Sequence, residues 1–155
     1  MITPLNKHLK KALYDQCETF VNQRLQTIET IISSNQKALQ SETKSSAGDK
    51  HETGRAMLQL EMEKAGQQLS TITQMKETIA KINPAKTTDT VRLGSLVFTN
   101  NRNYFIAISA GKIAVDNQVY FAVSPGSPIG KLFLGKQKGA MLIFNKLQIK
   151  IKNVM

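Results

Sequence analysis

The sequence predicts an α+β protein in two parts, a long antiparallel helical hairpin followed by a small, basic, β-rich domain. Three observations predict it. Apolar residues recur at three- and four-residue steps as far as Ile79, then at two-residue steps from Val91 onward. A polar tract over 41–49 splits the helical half into two arms. Charge is divided unequally: residues 1–90 hold 12 Lys/Arg against 10 Asp/Glu, whereas 91–155 hold nine against one, Asp116. The expected organisation is a hairpin over 1–82 with its tip near 45–53, a linker over 83–90, and a basic domain over 91–155.

In the first arm Leu5, Leu9, Leu13, Cys17, Phe20, Leu25, Ile28, Ile31, Ile32 and Leu39 fall along one stripe. In the second, Leu58, Met62, Ala65, Leu69, Ile72, Met75 and Ile79 keep a nearly strict four-three alternation, the seam of a coiled coil. Two narrow stripes joined by a short polar loop leave water only by folding onto each other. Arms of about 30 residues at 1.5 Å each reach roughly 45 Å. Asn83, biased away from helical geometry by Pro84, ends the second arm.

Beyond the linker, strands are expected at Val91-Arg92-Leu93, Ser95 to Phe98, Tyr104 to Ile108, Val119 to Val123, Met141 to Phe144 and Leu147 to Ile151. A short helix is expected from Ser127, with Pro128 in its first turn and Gly135 closing it. The expected sheet is antiparallel.

Composition sets the class. Trp is absent and 6% of residues are aromatic, which suits a small aliphatic core. No apolar run approaches the ~20 residues of a membrane span, and residues 1–11 contain none suited to a signal peptide. Cys17 is alone, so no disulfide framework or cysteine metal site is expected, and a cytoplasmic location is. The balance of +8 in the second half favours an acidic partner, nucleic acid (DNA included) or an acidic protein face, or else simply keeps the surface solvated.

Chemistry concentrates at Gly48-Asp49-Lys50-His51-Glu52, the turn into the second arm. Asp49 and Glu52 are three apart and share a helix face if the helix starts there. They read as a capping box, worth about 1 kcal/mol. They also read as half of a Mg²⁺ site, because a hard cation takes oxygen ligands and two carboxylates leave places for a partner to fill. Lys44, Lys50, His51 and Arg55 surround them, either as phosphate contacts or as ordinary solvated charge. There is no P-loop, G-x-G-x-x-G or G-x-S-x-G pattern, and Cys17 lies within the first stripe as a packed thiol. No independent active site assembles.

A hairpin with G-D-x-x-E at its tip, followed by S-P-x-x-x-x-x-x-G-K-x-x-G in a β-rich domain, resembles the bacterial Gre transcript-cleavage factors. The matching residues are Gly48, Asp49 and Glu52, then Ser127, Pro128, Gly135, Lys136 and Gly139. The resemblance implies an FKBP-like second domain without isomerase activity that docks on bacterial RNA polymerase, with Ser127, Pro128, Lys131, Gly135 and Lys136 as docking residues. It further implies that the hairpin enters the secondary channel, where Asp49 and Glu52 help hold a catalytic Mg²⁺ at the nascent RNA 3′ end. The polymerase, not this chain, would be the enzyme; the free protein would be a monomer without Mg²⁺. Where the family's tip continues N-A-E-Y, this chain has Thr53-Gly54-Arg55-Ala56, so that Arg55 replaces an acid and Ala56 an aromatic. Ala140 also stands where an acid is usual. Two other expectations stand beside cleavage: a channel-entering inhibitor or regulator, and an RNA-binding or dimerising adaptor.

Overall fold

The computed structural model describes residues 4–44 and 49–155, with side chains over 8–41 and 52–155. The protein is α+β, with a long helical region ahead of a six-stranded mixed sheet and one short helix. Helix α1 runs Pro4–Lys44 and α2 runs Asp49–Ala80. Pro4 occupies the first position of α1, where its missing N–H is no loss, and no Gly or Pro follows within that helix. At 1.5 Å per residue, the two extend about 60 and 48 Å. Both exceed the expected arms because the polar ends of the arms are helical too.

The chain forms two compact units, Met1–Phe20 with Glu77–Met155, and Val21–Lys76. In the second, the buried positions of α1 are Val21, Ile28 and Asn35, and those of α2 are Ala65 and Ile72. Each set steps by seven, which places its members along one face of their helix. Asn35 is the one polar member. Its amide nitrogen is buried without a hydrogen-bond partner.

The first unit holds the sheet. Its strands are β1 (Leu96–Thr99), β2 (Asn103–Ile106), β3 (Gly111–Val115), β4 (Gln118–Val123), β5 (Met141–Phe144) and β6 (Leu147–Val154), with α3 (Pro128–Phe133) between β4 and β5. Their spatial order is β3-β4-β2-β1-β6-β5. All pairings are antiparallel except β2 with β4, which run parallel from Asn103 beside Tyr120 to Ile106 beside Val123. This corrects the expected antiparallel sheet. The cause is β3, a strand absent from the sequence expectation. It takes the outer edge, so β4 returns inside it and meets β2 in the same direction. Val91 also departs from expectation: it is buried in a loop, its N–H donating to Lys136 O at 2.8 Å and its oxygen accepting from Gly135 N at 2.9 Å.

Two tight hairpins fix the registers. Asp116 and Asn117 join β3 to β4 with φ of 51° and 63°; Asn145 and Lys146 join β5 to β6 with φ of 50° and 66°. Left-handed backbone at both central residues matches the twist of the strands. A bulge in β6 opposite Phe98 and Thr99 leaves Lys152 and Asn153 exposed in succession and returns Val154 to the core.

Apolar side chains of the sheet and α3 meet in one core: Val97, Tyr104, Ile106, Ile129, Phe133, Ile149 and Ile151 are among its members. The Tyr104 and Phe133 rings lie 4.9 Å apart. In the same unit, α1 contributes Leu13 and Cys17, both fully buried, and Gln16 donates to Ala114 O of β3 at 2.8 Å. Burial pushes the Cys17 thiol up to about 12, in keeping with a packed, unreactive side chain. Among the described residues, no helix is long and apolar enough to cross a membrane.

Candidate functional site

Helix α2 begins at Asp49, so Asp49 and Glu52 both lie in its first turn, on adjoining positions of one face. Acidic groups there are favoured by the unpaired N–H groups and the positive end of the helix dipole. Glu52 is exposed, as is Arg55 three residues further on. Among the described residues neither forms an ion pair. The side chains of Lys44, Asp49, Lys50 and His51, and residue Gly48 altogether, lie outside the described residues. Glu52 and Arg55 are therefore the two tip groups whose exposure is on view: a carboxylate open to solvent, with a guanidinium within one helical turn of it.

A hard cation suits exposed carboxylate oxygen, but one or two carboxylates supply only part of its shell. Among the described residues, no three His, Cys, Asp or Glu side chains gather into a metal site.

The second group of sequence-selected residues sits around α3, and local folding accounts for much of its pattern. Ser127 caps the helix: its hydroxyl donates to Ser124 O at 2.7 Å and accepts from Gly130 N at 3.1 Å. Pro128 holds the first helical position. Gly130 packs so closely that a Cβ there would stand 2.0 Å from Ser124 O. Gly135 follows the helix with φ of +81°, a conformation that lets its N–H reach Val91 O. Lys131 and Lys136 are exposed, on either side of the buried Phe133. Ser127 and Gly135 are thus occupied by backbone duties, and the lysines are the groups free to meet a partner.

Sequence reasoning missed one functional candidate, Lys10. It is 2% exposed, its ammonium donating to the backbone oxygens of Lys86 at 2.8 Å and Met155 at 3.3 Å. Burial, with Arg92 nearby, lowers its pKa to about 8. Its only sequence signal is the step from Lys10 to Leu13 and Cys17 on the stripe, which a charged side chain conceals.

Compared with known proteins, the chain matches no family model, no curated protein and no solved structure.

Proposed function

We propose that this chain is a Gre-like factor that enters the secondary channel of bacterial RNA polymerase and stimulates cleavage of backtracked transcripts. In this reading α1 and α2 pair as a coiled coil, and the sheet unit has an FKBP-like arrangement and docks on the polymerase. Lys131 and Lys136 are the contacts available for docking. Asp49 and Glu52, presented at the start of α2, contribute oxygen ligands to a Mg²⁺ shared with the polymerase at the RNA 3′ end. A metal held there clamps the attacking and leaving oxygens of the hydrolysed phosphodiester. The chain supplies ligands and orientation; the catalytic centre is the polymerase's. Lys44, Lys50 and His51 are the flanking groups that would hold the RNA backbone.

The observation that carries the reading is the start of α2 at Asp49, which gives Asp49 and Glu52 neighbouring positions in its first turn, with Glu52 open to solvent. The seven-residue spacing of buried positions at Val21, Ile28 and Asn35, and at Ala65, Ile72 and Ile79, supports the coiled coil.

A second reading is favoured by Arg55. Its exposed guanidinium opposes the field of the acids one turn away, which would weaken cation recruitment while leaving docking intact. The protein would then occupy the channel and regulate synthesis without cleavage.

The test is transcript cleavage in a stalled, backtracked elongation complex, comparing wild type with Asp49→Ala/Glu52→Ala. Acceleration by wild type, lost in a double variant that still binds, supports the cleavage factor. Binding without acceleration, converted to acceleration by Arg55→Glu, supports the regulator. Failure of wild type to bind the polymerase sinks both.

A further inference from the structure

We infer that the cavity beside Lys10 is a binding site for a small polyvalent phosphate of the pyrophosphate class. The cavity measures about 340 Å³ and lies wholly within the sheet-bearing unit, where the start of α1, the end of α2 and the approach to β1 meet. Four cationic residues line it, Lys10, Lys81, Lys86 and Arg92, and no acidic residue does. Among the described residues no Asp or Glu side chain pairs with any of the four.

The uncharged lining has the same polarity. Asn83 spends its side-chain oxygen on the Ala85 N–H at 3.0 Å, which leaves its amide NH₂ as a donor. Thr88 donates to Thr90 O at 2.7 Å, so in its 3.2 Å contact with Ser95 the Ser95 hydroxyl is the donor. The Ser95 oxygen also accepts from Arg92 N at 2.9 Å, which fixes the loop that carries the guanidinium. Both hydroxyl protons are thus spent on internal partners, and the side-chain groups left for a ligand are the Asn83 NH₂ and the four cations. A cation or a neutral acceptor-poor ligand gains nothing there; an anion with many acceptor oxygens satisfies it.

Lys10 marks the site as built. The buried ammonium is held between the oxygens of Lys86 and Met155, and its neighbour Arg92 repels it. Such a group is costly unless a negative charge joins it. Phosphate oxygens accept charge-assisted hydrogen bonds from Lys and, in pairs, from Arg. Four cations match a polyvalent anion better than a monovalent one. A nucleotide is disfavoured, since Leu93 is the only apolar side chain in the lining and no aromatic ring offers a base a stacking surface. The inference is independent of the polymerase reading.

The experiment is titration calorimetry of the full chain with pyrophosphate, inorganic phosphate, and an oligo-aspartate peptide at constant ionic strength. Lys86→Gln/Arg92→Gln is compared with Lys112→Gln/Lys150→Gln, which removes two exposed charges elsewhere in the same unit. Pyrophosphate should bind the wild type more tightly than phosphate does. The cavity variant should lose about tenfold or more, as expected for charged hydrogen bonds, and the control less than about twofold. All four substituted side chains are exposed, so folding is preserved. Equal losses in both variants would show diffuse charge attraction and overturn the site. No pyrophosphate binding below about 10 mM, or tight binding of the acidic peptide alone, would overturn it as well.

Discussion

The Lys10 ammonium donates to the backbone oxygen of Lys86 at 2.8 Å, joining the first turns of α1 to the segment that leaves α2, 76 residues later. The contact fastens both ends of the helical region within one unit, and it does so with a buried charge. A pH signature follows. Lys10 is lowered from 10.5 to about 8, first by burial and then by Arg92. Below pH 8 it is charged in both states, and the cost of burying the charge is fully present. Between about 8 and 10.5 the unfolded chain binds more protons than the folded one, so this group makes stability rise with pH. At ~1.4 kcal/mol per pH unit the rise is at most about 3 kcal/mol. Urea unfolding from pH 7 to 10.5 should show this rise in the difference between wild type and Lys10→Met. A flat difference would mean that Lys10 has an ordinary pKa.

Cys17 acts in the opposite sense. Its thiol, held at about 12 by burial, stays protonated in the folded state while the unfolded thiol ionises from about pH 9. From there upward the folded chain binds more protons, and stability falls with pH. Cys17→Ala should therefore lose less stability above pH 9 than wild type does, whatever its offset at pH 7 from the cavity left behind. The same burial makes the thiol slow to alkylate. Labelling of native protein with iodoacetamide at pH 8 should be governed by unfolding; rapid labelling of the native state would place Cys17 at the surface.

Asn35 sits where the seven-residue steps of α1 call for an apolar side chain, and its amide nitrogen has no partner. An unpaired buried polar group costs roughly 1–3 kcal/mol. Asn35→Leu should raise the free energy of unfolding by about that amount, read as an upward shift in the urea midpoint. A single polar residue in such a stripe also fixes the register of paired helices. The leucine variant should accordingly show more than one hairpin alignment in cross-linking between arms. Destabilisation by leucine would mean that the amide is satisfied in solution.

Much of this architecture is legible from residue spacing, and the exceptions have physical causes. The α2 stripe from Leu58 to Ile79 is readable because each apolar residue returns to the same face every three or four positions. Helix α3 is readable because Ser127, Pro128 and Gly135 each suit one position of a short helix. Strand β3 is not: of Gly111-Lys112-Ile113-Ala114-Val115, only Ile113 and Val115 are apolar, buried side chains. Its pairing comes from the Asp116-Asn117 turn and from β4, a non-local partner. The parallel contact of β2 with β4 follows from that same hidden strand. At the tip, the three-residue spacing of Asp49 and Glu52 is legible and the start of α2 agrees with it. The phosphate cavity is not legible, because Lys10, Lys86 and Arg92 meet only once the chain has folded.

Two glycines make opposite predictions from one substitution. At Gly130, an added Cβ would lie 2.0 Å from Ser124 O and 2.9 Å from the Ser127 hydroxyl, both fixed by the cap of α3. Gly130→Ala must displace backbone, and it should unseat Phe133 from the core or prevent the sheet unit from folding, a loss of several kcal/mol on the scale of about 3–5 for a removed core aromatic. At Gly66, exposed within α2, an added Cβ meets nothing within 4 Å. Alanine there restricts the unfolded chain and favours helix, so Gly66→Ala should stabilise by roughly 1 kcal/mol. Thermal unfolding of the two variants beside wild type checks both. The decisive result is the contrast: a Gly130→Ala protein as stable as Gly66→Ala would mean that Ser124, Ser127 and Gly130 do not form the tight cap on which the placement of α3 depends.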